Sequence, residues 1–213
     1  MNIGTDEKKH IARYLKFLLC CEKIAYSCSA KQAKLCDDKQ MKRFLIKQSR
    51  QEKFHAATFR SGILYLAPKG VSAPAKKHTQ LYSVLLDEAI ANHDLSSSVI
   101  GLQVILEGMG EIALSRLDYG MQQRDVGLQK IRRAILAQED SHHEFGLNYL
   151  NTNRSLTTSI HTEAYLTVVS DMISSLQGLF DFFEEDSRQY MAEFRHNLPD
   201  QIYKDALSHH THA

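Results

Sequence analysis

Glu52 and His55, and again Glu139 and His142, stand three residues apart in this chain. On a helix, side chains at i and i+3 project toward the same neighbour, so each pair can offer a carboxylate and an imidazole to one centre. Glu22 falls seven residues after Leu15 and four after Leu18, and Glu107 falls seven after Ile100, so both sit inside the apolar stripes of their own segments. A charge buried in such a stripe is costly without partners. Four carboxylates and two imidazoles meeting between helices would serve as metal ligands, their four negative charges balancing two divalent cations.

The order along the chain is Glu, Glu-x-x-His, Glu, Glu-x-x-His, with 30 positions from Glu22 to Glu52 and 32 from Glu107 to Glu139, an internal pseudo-repeat of helix pairs. Glu22, Glu52, His55, Glu107, Glu139 and His142 are therefore the predicted ligands, the set used in di-iron and di-manganese four-helix bundles. Two iron ions are the first choice for this oxygen-rich set, with Mn/Fe and Mn/Mn as alternatives. Zinc prefers four ligands and has no redox chemistry. One Glu-x-x-His alone is a weak signal, and the competing reading makes these residues ordinary paired charges on helix surfaces.

Glu111, one turn beyond Glu107, is the alternative third-helix ligand or an additional carboxylate. His143 is rotated by about 100° from His142 and is expected to face solvent or support the centre rather than ligate beside it. Tyr26, one turn after Glu22, is a candidate donor to a ligand or a lining residue of a substrate path, against plain core packing. Asp140 and Asp171 are candidates to accept the second ring hydrogen of a ligand histidine.

Helices must position all of this. Apolar periodicity predicts helices over 8–37, capped by Thr5 or Asp6, and over 39–66, joined by a tight turn at Cys36-Asp37-Asp38. Pro68, Gly70 and Pro74 mark a linker before a helix over 75–93, and Asn92-His93-Asp94 suggests a kink, cap or break. The next helix reaches Asp118, with Tyr119-Gly120 as a stop and Gly101, Gly108 and Gly110 permitting close contacts. A helix over 126–149 is expected to turn Leu128, Ile131, Ile135 and Phe145 inward. Helices over 156–184 and 187–195 follow, then a last turn or two at 202–207. The His209-His210-Thr211-His212 tail is expected to be frayed and without a metal role. No useful β alternation is present. The expected fold is all-α, a ferritin-like four-helix bundle with additional C-terminal helices, one domain over 1–213 with the metal-binding bundle over about 8–150 and the extension over about 156–207.

Composition agrees with a helical core. Of 213 residues, 43% are apolar and only 3 are Pro and 10 Gly, which argues against disorder and a turn-rich β chain. A net charge of +1 offers no global attraction for nucleic acid or an acidic membrane surface. No run approaches 18 apolar residues and no cleavable apolar leader is seen, so a cytoplasmic protein without stable membrane insertion is expected. Cys20, Cys21, Cys28 and Cys36 share one helix, where they cannot readily pair with one another, and lack a CxxC knuckle; reduced structural thiols are expected.

At these residues the chain resembles the ferritin-like di-iron carboxylate superfamily, and locally the demethoxyubiquinone hydroxylase family. Glu22 followed by Gln32, the segment Gln51-Glu52-Lys53-Phe54-His55, and the segment Glu139-Asp140-Ser141-His142-His143-Glu144-Phe145-Gly146-Leu147 carry the likeness, which covers about residues 11–150. The match at Glu107 is weaker. The resemblance implies the six ligands named above and oxygen activation. The long segment after Asn151 departs from the family, and the linker shows no conspicuous membrane-facing apolar surface, which counts against a membrane quinone as substrate. The expected function is a di-iron oxidase or monooxygenase using molecular oxygen on a small or carrier-bound organic substrate. An external electron donor is needed because no flavin or nucleotide fingerprint is present, and a homodimer is a candidate assembly. The alternatives are a ferroxidase or iron-storage protein, a hydroxylase of transfer RNA approached through Lys130, Arg132 and Arg133, and a metal-free helical interaction protein.

Overall fold

The computed structural model describes residues 4–124, 127–153, 160–180, 186–200 and 202. The fold is all-α, a four-helix core with additional C-terminal helices, and the described residues contain no strand. Helices α1 (Thr5–Leu35) and α2 (Lys39–Leu66) form a long antiparallel hairpin. Their 31 and 28 residues make rods of about 47 and 42 Å at 1.5 Å per residue. The α1 cap differs from expectation. Gly4 is the N-cap and no side chain caps the helix, while Asp6 and Glu7 lie within the first turn, where their charge favours the positive end of the helix dipole. The turn into α2 is tight as expected, and Asp38 caps it by accepting from the Met41 amide at 2.6 Å.

After the linker, α3 (Lys76–Ala91) ends at Asn92. The following break is complete: His93 adopts a left-handed φ of 56°, and Asp94 accepts from the Ser97 amide at 2.8 Å to start α4 (Leu95–Val99). Helix then continues without interruption through a π-wound stretch, Ile100–Leu106, into α5 (Glu107–Gln123). Gly120 therefore does not stop it. By length and composition Leu95–Gln123 could cross a membrane, but 89% of its most apolar stretch is buried inside the bundle, so a central position accounts for that apolarity. Tyr82 donates to the Gly101 carbonyl at 2.5 Å and Tyr190 to that of Met109 at 2.5 Å, placing one hydroxyl donor within the irregular winding and one just beyond it.

Helix α6 (Gln129–Thr152) packs on α5 and the π-wound stretch. Two glycines set the distance. A Cβ on Gly146 would lie 2.7 Å from the Gln103 carbonyl carbon, and one on Gly108 would lie 3.0 Å from His143 Nε2. Gly101 lies equally close to Tyr165, whereas Gly110 has open space beside it and makes no close contact. Ile135 is buried as expected, but Leu128 and Ile131 are exposed, because the first turns of α6 rim an opening instead of covering core. Phe145 is half-buried, stacked on Phe44 at 4.0 Å. Of the expected helix over 156–184, the described residues form α7 (Ile160–Ser175) and α8 (Gln177–Phe180), while 156–159 and 181–184 lie outside the described residues; α9 (Ser187–Asn197) follows, with α7 against α3 and α9 against α5. Ile202 is buried, while the rest of the expected turn at 203–207 and the histidine tail lie outside the described residues.

Candidate metal centre

The glutamates meet in the middle of the bundle. Glu22 comes from α1, Glu52 and His55 from α2, Glu107 from the start of α5, and Glu139 and His142 from α6, and all six are buried. They form two overlapping groups whose ligand atoms lie within 4.8 Å of one another: Glu22, Glu52, His55 and Glu139, and Glu52, Glu107, Glu139 and His142. Glu52 and Glu139 belong to both. Each group thus has three carboxylates and one imidazole, and two buried clusters of this kind could coordinate two metal ions.

The rings are set by partners that sequence spacing did not single out. His55 turns Nε2 to Gln138 Oε1 at 2.8 Å, and His142 turns Nε2 to Gln51 Oε1 at 3.1 Å. An amide oxygen only accepts, so each Nε2 donates to it and each ring turns Nδ1 inward to the carboxylates, where the neutral ring would offer a lone pair to a cation. Asp140 and Asp171 are exposed and do not play this part. The missed signal lies immediately before Glu52 and Glu139, where Gln51 and Gln138 stand.

That inward geometry is the test of whether a metal fits. His55 Nδ1 lies 2.8 Å from Glu139 Oε1, 3.0 Å from Glu52 Oε2 and 3.5 Å from Glu22 Oε2. His142 Nδ1 lies 2.7 Å from Glu52 Oε1 and 3.9 Å from Glu139 Oε2. Yet Glu52 Oε1, Glu139 Oε1 and His142 Nδ1 are buried without an aligned hydrogen-bond partner, so they are close without being bonded. Lone pairs converging on lone pairs need either protons or cations between them, and the donor set suits divalent cations.

Electrostatics agree. Burial pushes the Glu22 and Glu107 carboxyls well above the usual range, and the neighbouring carboxylates add to it. For Glu52 and Glu139 burial acts in the same direction, but the two histidines outweigh it and hold both below the usual range. Burial opposes the charged form of His142, yet Glu139 and Glu52 raise it to about 9, and His55 is raised further by Glu139, Glu22 and Glu52. Protons therefore occupy the metal-free cluster in place of cations.

On the third helix, Glu107 faces the centre and Glu111 does not. Gln48 donates to Glu107 Oε1 at 2.8 Å, Gln103 donates to Gln48 Oε1 at 2.9 Å, and Gln103 and Gln32 pair reciprocally at 2.8 and 3.1 Å. All three glutamines are fully buried, so this chain ties Glu107 to α1, α2 and the π-wound stretch. Glu111 is half-buried and lies 3.0 Å from Nδ1 of buried His143, whose ring packs over Gly108. Tyr26 is also half-buried. Its carbonyl accepts from Ser49 Oγ at 2.9 Å, and no hydrogen bond joins its hydroxyl to the cluster. The four cysteines are unpaired, and burial pushes the Cys28 thiol up to about 12, out of reach of thiolate chemistry near neutral pH.

Compared with models of known protein families and with curated proteins, the chain shows no significant match. Its likeness is one of architecture: a ferritin-like four-helix-bundle arrangement with two buried Glu/His clusters, consistent with a site of the di-iron superfamily.

Proposed function

We propose that this chain is a di-iron oxidoreductase that uses molecular oxygen to oxidise an organic substrate, with electrons supplied by a separate donor protein or small reductant. The observation that carries the reading is the pair of overlapping clusters sharing Glu52 and Glu139, with both Nδ1 atoms turned inward. When bound, two iron ions would supply the redox chemistry that activates oxygen.

The chain's own residues do the rest. Glu52 and Glu139 reach both groups and hold them together, while Glu22 with His55 and Glu107 with His142 complete one side each. Gln51 and Gln138 keep each imidazole in the tautomer that presents Nδ1. Gln48 restrains Glu107. Leu18, Leu106 and Leu114 border the small cavity beside Glu22, Glu107 and Glu139 and keep bulk water from it.

A ferroxidase would use the same ligands, but the long apolar cavity near the centre favours an organic substrate over iron as cargo. Transfer RNA is less well supported, because Arg132 is held by Asp118 and the Gly127 carbonyl. The local resemblance to demethoxyubiquinone hydroxylases supports the reaction class. The deciding experiment is anaerobic reconstitution with ferrous iron followed by elemental analysis and oxygen exposure. Two irons per chain and rapid oxygen consumption with a chemical reductant are expected, and a persistently metal-free protein overturns the proposal.

A further inference from the structure

A cavity of about 390 Å³ runs between α1, α2, α5 and α6. It touches α2 from Thr58 to Leu66 and α6 from Leu128 to Leu136, each a span of about 12 Å along the bundle axis. Phe59 and Ile135 in its wall lie one turn from His55 and Glu139. Leu114 borders both this cavity and a second, water-sized one of about 20 Å³ bounded by Glu22, Glu107 and Glu139. The large cavity therefore points along the bundle toward the metal centre, one leucine away from the carboxylates.

Its chemistry is uneven along that length. The inner wall is aliphatic and aromatic, with Leu15, Phe59, Leu114 and Ile135 all buried. Among the described lining residues the only charged ones, Asp118 and Arg132, form an ion pair and lie toward the outer end, one turn or so beyond Leu114 and Ile135. At the same end Tyr65 and Leu128 are 74% and 69% exposed, the latter at a left-handed φ of 68°. Close-packed cores do not leave such a volume without cost, and destabilisation grows with cavity size, so an occupant that restores apolar contact is favoured.

The occupant can be narrowed by what the wall lacks. A peptide segment or a ring bearing carbonyls would bring polar groups against an inner wall whose one hydroxyl, on Thr58, already donates to the Phe54 carbonyl, at a penalty for each. An alkyl chain needs no donor, and a polar end left outside would meet Asp118 and Arg132. We infer that this cavity binds the hydrocarbon chain of a single-chain aliphatic amphiphile, polar end at the Asp118–Arg132 rim and chain directed toward Leu114, and that such amphiphiles are the substrate class. The assignment of substrate class rests on the oxidoreductase reading, whereas the binding site rests on the cavity alone.

The chain has no tryptophan, so Tyr65→Trp in the full, iron-loaded protein gives a single tryptophan at the rim, excited selectively over the tyrosines. Dodecanoic acid, titrated below its micelle concentration, is expected to shift that emission to the blue saturably at one ligand per chain. Cholic acid, which carries a carboxylate on a rigid hydroxylated ring system and no long alkyl chain, is expected not to do so. Adding Gly62→Leu, whose Cβ would already lie 3.0 Å from Leu15 Cδ1, is expected to weaken binding by about tenfold or more with iron content unchanged. Leu66→Phe provides a second block should the first variant not fold. No saturable shift in protein that holds two irons overturns the ligand class and leaves the metal reading standing. So does equal binding of cholic acid, or binding that both blocks leave intact. A normal shift in protein that cannot be loaded with metal overturns the oxidoreductase reading, and with it the substrate assignment, while the aliphatic site survives.

Discussion

His55 Nε2 lies 2.8 Å from Oε1 of Gln138, the residue immediately before Glu139, while His142 Nε2 lies 3.1 Å from Oε1 of Gln51, the residue immediately before Glu52. Each half of the pseudo-repeat thus orients the histidine of the other. The exchange couples α2 to α6 through the same pair of segments that supply the shared carboxylates, so one packing arrangement sets ligand position and ring tautomer together.

Loss of that orientation is expected to weaken metal binding without emptying the core. Gln138→Leu keeps the volume but removes the acceptor, freeing the His55 ring to change tautomer. Competition with a chelator of known strength should show affinity reduced by about 10–100-fold. Equal affinity in the variant would show that the amide does not hold the ring.

Glu107 and Glu111 should separate cleanly. Glu107→Ala removes a buried carboxylate of one group and is expected to reduce bound metal from two toward one per chain. Glu111→Ala removes the half-buried partner of His143 and is expected to leave the count at two. Elemental analysis of both reconstituted variants is the check.

Metal loading should release protons. In the metal-free cluster Glu22, Glu107, His55 and His142 all have raised pKa values, and ligation deprotonates each. Roughly four protons per two divalent ions are expected near neutral pH, read as acidification of a weakly buffered solution, and affinity should fall as pH is lowered.

The same groups set how the metal-free fold responds to alkali. His142 has its folded pKa raised from 6.5 to about 9, so its contribution is full below about 6.5 and lost as pH rises through about 9. Glu22 and Glu107, also raised, act with the same sign. The metal-free protein should therefore lose thermal stability between pH 6.5 and 9 while the loaded protein changes less. Melting curves with and without chelator across that range would reveal a metal-free stability that instead rises, contrary to this account.

Close packing of α6 on the π-wound stretch should be sensitive to a single methyl. Gly146→Ala would bring a Cβ within 2.7 Å of the Gln103 backbone, which cannot swing aside. A cost of about 1–3 kcal/mol is expected, seen as a melting temperature lower by about 2–4 °C per kcal/mol.

Much of this was legible beforehand because it is local. The bounds of α2 match the expectation from apolar spacing, and Glu22, Glu52 and Glu139 announce themselves as charges inside apolar stripes. Leu128 and Ile131 misled for the same reason. Periodicity reports which face of a helix is apolar, not whether the neighbouring helix is near enough to cover it, and here an opening lies beside them.

Residue type and helical period by themselves determined that this chain is all-α and that it carries two Glu-x-x-His half-sites with a further glutamate for each, because i to i+3 geometry is a property of one helix alone. Only the tertiary structure decided that Glu107 faces the centre and Glu111 pairs with His143, that Gln51 and Gln138 cross over to the opposite histidines, and that an apolar cavity lies along the axis. These depend on the rotation and separation of helices relative to one another. The π-wound turns at Ile100–Leu106 shift that rotation, and Gly108 and Gly146 set that separation, through contacts between residues distant in the chain.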